Sequence, residues 1–105
     1  MKNDRDVRMT HTTLRLLRVF YDDPQDEKCG ADIWNVTKIG AGSLYPILYR
    51  LEDAGWLNAR WETIDPHEEG RPRRRYYKIT NAGFAKAQTA LQERDMLGGV
   101  LAWNT

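Results

Sequence analysis

The strongest constraint on what this chain can become is a pair of short alternating stretches held apart by a loop that cannot pair along its length. In "WLNARWETI", residues 56–64, Leu57, Ala59, Trp61 and Thr63 fall on one side of an extended backbone and Trp56, Asn58, Arg60 and Glu62 on the other. "YYKIT", residues 76–80, alternates in the same way. Between them lie eleven polar or turn-like residues that include Pro66, Gly70 and Pro72. Proline gives no amide to a ladder, so the pattern predicts a hairpin whose tip projects as an extended loop.

What precedes the hairpin has helical spacing. From Thr10 or Thr12, either of which can cap, "THTTLRLLRVFYDD" places Thr13, Leu16, Leu17 and Phe20 on one stripe, widened by Leu14 and Tyr21. "DDPQDEKCG" breaks that pattern. A short second helix is predicted from about Ala31 to Thr37, burying Ile33 and Trp34 or Val36, with "KIGAG" as the next break. In "SLYPILYRLEDAGWL", Leu44, Ile47, Leu48, Leu51 and Ala54 share one helical face, while Gly42, Tyr45, Pro46, Tyr49 and Asp53 share the other. Gly55 is placed to close this helix in the left-handed conformation. Pro46 removes the amide that would pair with the Gly42 carbonyl, so regular helix must begin near Gly42 or the first turn must kink. After the hairpin, Thr80 or Asn81 caps a last helix that runs through Phe84, Ala87 and Leu91 and is predicted to stop at Gly98 and Gly99.

The order helix, helix, helix, strand, basic loop, strand, helix defines an α+β, mostly α fold: a winged helix-turn-helix of three helices and a two-stranded wing, followed by a C-terminal helix. Residues 1–9 read as a flexible arm, 10–80 as the winged domain, and 81–105 as a C-terminal helix and tail that forms a dimerisation element. At 105 residues the chain suits one hydrophobic core. No apolar run approaches the roughly 20 residues of a membrane span. Arg15 and Arg18 interrupt the first apolar stretch, so no secretory signal is read and a cytoplasmic location is expected. The lone Cys29 has no internal disulfide partner.

A formal net charge of +1 conceals segregation. Arg71, Arg73, Arg74, Arg75 and Lys78 fall within eight positions that hold no acid, which concentrates a positive field. On a wing beside a helix-turn-helix, such guanidinium groups suit the phosphate backbone or the adjacent minor groove of DNA. Arg71, Arg73, Arg74 and Arg75 are therefore candidate DNA contacts. Ser43, Tyr45 and Tyr49, on the outward face of the third helix, offer hydroxyls to phosphates and base edges. Pro46 fits a sugar or a thymine methyl, and Lys38 a phosphate. Trp56 and Trp61 read as core and strand packing.

Catalytic patterns are not found. His11 and His67 stand apart, no Cys or His pair has metal-ligand spacing, and Ser43 lacks a nucleophile elbow. No enzyme activity, cofactor or metal is expected.

"GAGSLYPILYRLEDAGWLNARWE" resembles the signature of PadR-type transcriptional regulators. Gly42, Ser43, Leu44, Tyr45, Pro46, Arg50, Leu51, Glu52, Gly55, Arg60, Trp61 and Glu62 stand at the family's places. "GRPRRRYYKITNAG" resembles its wing, second strand and the Thr80, Ala82 and Gly83 that follow. Ser43 replaces the usual Thr, Gly40 a common Ser cap and Asn81 a frequent Pro, and the C-terminal region is shorter than in many relatives. The resemblance covers roughly residues 14 to 85. It implies a sequence-specific repressor of double-stranded DNA, acting as a homodimer paired through C-terminal helices on an inverted repeat. In some relatives a flat hydrophobic effector sits at the dimer centre, where Trp103 would belong. Phe84, Ala87, Leu91 and Leu97 could supply the dimer seam, and the same stripe could equally pack on its own domain. Met96, Val100, Leu101 and Trp103 weigh toward a partner. The alternative reading is a small winged-helix protein-interaction module or phage or plasmid accessory factor, against which the four arginines speak.

Overall fold

Thr10 sets the first boundary of the structure, a computed structural model that describes residues 7–104, with side chains as far as Arg94. Its hydroxyl accepts from the Thr13 amide at 3.1 Å, satisfying one of the donors that a helix start leaves open. The chain then runs α1 (His11–Asp22), β1 (Lys28–Cys29), α2 (Gly30–Thr37), α3 (Ala41–Asp53), β2 (Leu57–Trp61), α4 (Pro66–Glu69), β3 (Arg75–Ile79) and α5 (Asn81–Asn104). The stripe expected on α1 is buried: Thr13, Leu14, Leu16, Leu17 and Phe20.

In α2 the expectation is half met. Ile33 is buried, but Trp34 and Val36 are 47% and 72% exposed, and Thr37 takes the second core position. A helix of eight residues buries little more than one residue per turn, here i and i+4. Thr37 tolerates the interior because its hydroxyl donates to the Ile33 carbonyl at 2.8 Å and accepts from the Ile39 amide at 3.1 Å. Lys38 closes α2 with a left-handed backbone (φ 59°).

In α3, Leu44, Ile47, Leu48 and Leu51 face inward, while Gly42, Tyr45, Pro46 and Tyr49 are exposed. Regular helix begins at Ala41, and Pro46 therefore deprives only the Gly42 carbonyl, on the exposed side, of its amide. Gly55 (φ 84°) ends the helix. Its amide reaches the Glu52 carbonyl at 3.0 Å and the Trp56 amide reaches Leu51 at 2.9 Å, the double closure that a left-handed glycine permits.

Strands β2 and β3 pair antiparallel from Leu57↔Ile79 to Trp61↔Arg75. The wing is not a two-stranded hairpin alone: β1 adds to the far side of β3, giving the order β1-β3-β2. Two residues are too few for alternation to show in a sequence. The tip differs as well. It carries α4, with Asp65 accepting from the His67 amide at 2.9 Å and Gly70 (φ 68°) closing the turn. Asp-Pro followed by acids and glycine is a helix start and stop, and that signal outweighs the extended-loop reading.

Thr80 is the hinge between the wing and α5. Its hydroxyl accepts from the Gly83 amide at 2.9 Å and donates to the Gly55 carbonyl at 2.7 Å, tying the helix start to the end of α3. α5 continues to Asn104 and does not stop at Gly98 and Gly99; a helical glycine costs only about 1 kcal/mol relative to alanine. The helix packs along α1, with Phe84 stacked on Tyr21 (4.7 Å between ring centroids) and Ala87 and Leu91 buried. One cluster joins Leu16, Phe20, Ile33, Leu48, Trp56, Tyr77 and Ala87, so α1, α2, α3, the sheet and the first turns of α5 share a single core.

Candidate nucleic-acid interface

The 3.6-residue period divides the outward face of α3 into two flanks. Tyr45 and Tyr49 lie on the flank that faces the wing, their rings 6.3 Å apart. Tyr45 rests over Gly30 so closely that a Cβ there would lie 2.2 Å from its hydroxyl. Ser43 and Pro46 lie on the opposite flank, in a separate cleft that faces the start of α1.

Carboxylates shape the wing. Glu62, whose side chain keeps 16% of its exposure, accepts two bonds from the Arg71 guanidinium, at 2.7 and 2.9 Å. It also accepts the Arg74 amide at 3.1 Å. The Arg71 bond, helped by the Arg74 amide and both positive charges, holds the Glu62 carboxyl down at about 2. Arg75 donates to Glu52 of α3 at 3.0 Å and stacks on the Trp61 ring, 5.0 Å from its centroid. Arg60 grips Glu27 with two bonds of 2.6 and 2.7 Å, bracing β2 against the segment before β1. Of the four wing arginines, Arg71 and Arg75 are thus committed to carboxylates. Arg73 is held only through its Nε to the Ile64 carbonyl at 3.0 Å, and Arg74 is exposed with its side chain outside any hydrogen bond or ion pair among the described residues.

The two surfaces meet. A groove of about 470 Å³ has Tyr45 and Tyr49 on one wall and Arg71, Arg73, Arg74 and Arg75 with Trp61 on the other. At its base lies Tyr77, 1% exposed, whose hydroxyl has no hydrogen-bond partner among the described residues. Burial pushes the Tyr77 phenol up.

Other expected site residues fall elsewhere. Lys38 joins neither cleft; its Nζ sits 4.1 Å over the Trp34 ring. Trp56 is core, but Trp61 is 59% exposed and serves as the platform under Arg75, which corrects its reading as packing. Among the seam candidates, Ala87 and Leu91 are covered by the chain's own residues and Phe84 is half-buried on Tyr21. Leu97 and Trp103 lie outside the residues whose side chains are described. Residue-by-residue reading of the sequence gives no role to Glu52, Glu62 or Arg60. Their signal is charge opposite charge: Glu62 stands beside Arg74 across the hairpin, its amide bonded to the Arg74 carbonyl at 2.8 Å. Among the described residues no three of His, Cys, Asp and Glu gather to hold a metal, and no helix is long and apolar enough to cross a membrane.

Comparison with known proteins agrees with this geometry. Residues 28–89 match the transcriptional regulator PadR-like family. A PadR-like transcription factor of Bacteroides fragilis has a similar structure, with a TM-score of 0.70 at 20% identity over 90% of this chain and 89% of that one. A PadR-like transcriptional regulator of Bacillus cereus gives 0.64 at 21% identity, covering 86% of each chain. A Streptococcus mutans protein gives 0.66 at 25% identity, over 85% of this chain and 80% of the other. No match was found among curated proteins. The matched span covers more than half of the 105 residues and takes in α3, the wing and the groove between them; the chain belongs to the PadR-like family of transcriptional regulators, which bind DNA.

Proposed function

We propose that the protein is a sequence-specific repressor that lays α3 in the major groove of duplex DNA and sets its Arg-rich wing on the neighbouring backbone or minor groove. The groove between α3 and the wing carries this reading. A phosphate strand bordering the major groove would run between the helix and the wing, and its charge needs cations on one wall and hydroxyls on the other. Arg73 and Arg74 supply positive charge tied to no carboxylate among the described residues, while Arg71 and Arg75, fixed by Glu62 and Glu52, supply charge at set positions. Tyr45 and Tyr49 supply the hydroxyls at the surface, and the Tyr77 hydroxyl lies buried beneath them near Arg75. Ser43, Pro46 and Lys38 extend the surface to either side. A small protein that covers a site excludes other proteins from it, which is the simplest route to repression.

The homodimer belongs to the same proposal. Ala87 and Leu91 already pack on their own chain, so a seam would draw on the C-terminal part of the sequence, where Leu97 and Trp103 are the apolar candidates. Replacing Arg73 and Arg74 by Ala is expected to weaken binding to all duplexes alike and to flatten the fall of log affinity with log salt by about 0.9 for each phosphate released. Unchanged binding would remove the wing from the interface. Selection of bound duplexes from a random pool is expected to return two inverted copies of a half-site about one helical turn apart; a single copy would indicate a monomer.

A further inference from the structure

We propose a second backbone-binding surface on the far flank of α3, where Arg8 and Arg50, with Ser43 and Thr12, receive the other phosphate strand that borders the major groove. This rests on the reading of α3 as the groove-entering helix. A helix with its side chains is about 10–12 Å across and the major groove about 12 Å wide, so a helix that fills the groove meets phosphates on both flanks. The wing accounts for one flank only. On the other, Ser43 and Arg50, seven residues apart and so nearly in line along α3, face the start of α1 across a cleft of about 390 Å³. Arg8 and Thr12 form its opposite wall, and no carboxylate lines it.

Charge sorts the clefts of the molecule. The cleft between α1 and α2, about 660 Å³, sets Asp22, Asp26 and Asp32 against Arg15, Arg18 and Lys28, so its walls carry no net positive charge for a phosphate. The wing groove and the Arg8–Arg50 cleft lack carboxylates in their walls, and they lie on the two sides of the same helix. Arg8 and Arg50 are both exposed, and neither has an ion pair among the described residues. Nothing among the described residues thus accounts for two guanidinium groups in this place, whereas Arg71 and Arg75 also organise the wing. Thr13 is buried against the Thr10 cap, its hydroxyl 3.0 Å from that of Thr10, while Ser43 stays exposed two turns before Arg50. The cleft combines two cations with hydroxyl donors, which suits phosphate oxygens and reads no base.

The test compares the full chain with Arg8→Ala/Arg50→Ala, Arg8→Lys/Arg50→Lys and Arg73→Ala/Arg74→Ala, using a short mixed-sequence duplex and fluorescence anisotropy across a salt series. Circular dichroism melting confirms that each variant folds. The Arg8→Ala/Arg50→Ala variant is expected to bind more weakly and to flatten the log–log salt dependence by about 0.9 for each phosphate it no longer neutralises. The lysine pair is expected to keep the wild-type slope, because a phosphate contact needs charge more than shape. If the alanine pair at 8 and 50 binds as wild type does while the pair at 73 and 74 weakens, the second surface is refuted and the proposed function stands. If the lysine pair loses as much as the alanine pair, charge is not what the site supplies and the inference is equally overturned. If the wild-type chain shows no salt-dependent duplex binding, the proposed function fails and takes this inference with it.

Discussion

The helical half of the molecule and its wing are held by different forces. α1, α2 and α3 meet through Leu16, Leu17, Phe20, Ile33, Leu48 and Leu51, all essentially without exposure. The wing beyond Trp61 has no comparable core: Ile64 is only half-buried, and the loop is shaped by Glu62 on Arg71 and on the Arg74 amide, by Arg75 on Glu52, and by Arg73 on a backbone carbonyl. Apolar burial is not screened by salt and is nearly insensitive to pH, whereas exposed ion pairs are screened and titrate. The comparison teaches that the platform presenting α3 has one shape, while the wing has a shape that its ionic surroundings can relax. That suits a segment whose final partner is itself a polyanion: Arg73 and Arg74, tied to no carboxylate among the described residues, are left to meet phosphates, while Arg71 and Arg75 shape the loop.

Breaking the platform has the largest expected effect. Leu48→Ala removes a fully buried side chain at the centre of the cluster and is expected to destabilise the domain by about 2–5 kcal/mol. Set against a total of about 5–15 kcal/mol for a typical domain, that is a large fraction. Chemical denaturation measures it, and the loss should be the same at low and high salt. Arg71→Ala is the contrasting case. It is expected to leave the denaturation midpoint close to wild type while the amides of residues 62–74 exchange with solvent much faster. A global loss from Arg71→Ala as large as that from Leu48→Ala would erase the distinction between the two halves.

The same division explains how much can be read from the sequence. Apolar spacing marks the buried faces of α1 and α3 because burial at 3.6-residue intervals leaves a visible pattern, and the Gly55 closure is visible because few residues tolerate that backbone. Two-residue β1 is shorter than any pattern that would identify it, and four-residue α4 shows only in its start and stop residues, Asp65, Pro66 and Gly70. Trp34 and Trp61 depart from their expected burial for one reason: a tryptophan on a short element can serve as a platform for a cation, Lys38 or Arg75, instead of filling a core. At the site, the four arginines are legible as charge. Which of them are braced is not, because Glu52 lies 23 residues from Arg75 and only the fold brings the two together. Arg50 is within reach of sequence reasoning, since its place seven residues after Ser43 on one flank follows from the period alone.

Acid offers a smaller and more local test of the comparison. The Glu62 carboxyl lies at about 2 in the folded chain against an ordinary 4.5. Its folded value is depressed, so its contribution is complete above about 4.5 and is lost as the pH falls toward 2. The Arg74 amide, which donates to Glu62, is expected to report that titration as a chemical-shift change with a midpoint near 2, and Glu62→Gln is expected to abolish it. Glu62→Gln should also loosen the loop at neutral pH, since a carboxamide cannot hold Arg71 through two charged oxygens. A midpoint near 4.5 would mean that the Arg71 bond is not maintained in solution.

The smallest expected change on the protein alone comes from Tyr77→Phe, and it is the sharpest on function. Tyr77 belongs to both halves: its ring is core, and its buried hydroxyl lies beneath the groove between them. Deleting a buried hydroxyl that has no hydrogen-bond partner among the described residues removes a desolvation cost without removing a bond, so the melting temperature should hold or rise slightly. If the groove takes a phosphate, the same change deletes a donor to it, and duplex affinity should fall while stability does not. Loss of stability together with loss of binding would show that the hydroxyl is bonded within the folded chain, and the groove would then rest on its arginines and on Tyr45 and Tyr49 alone. Only a site built for something outside the chain gives the opposite pair of signs.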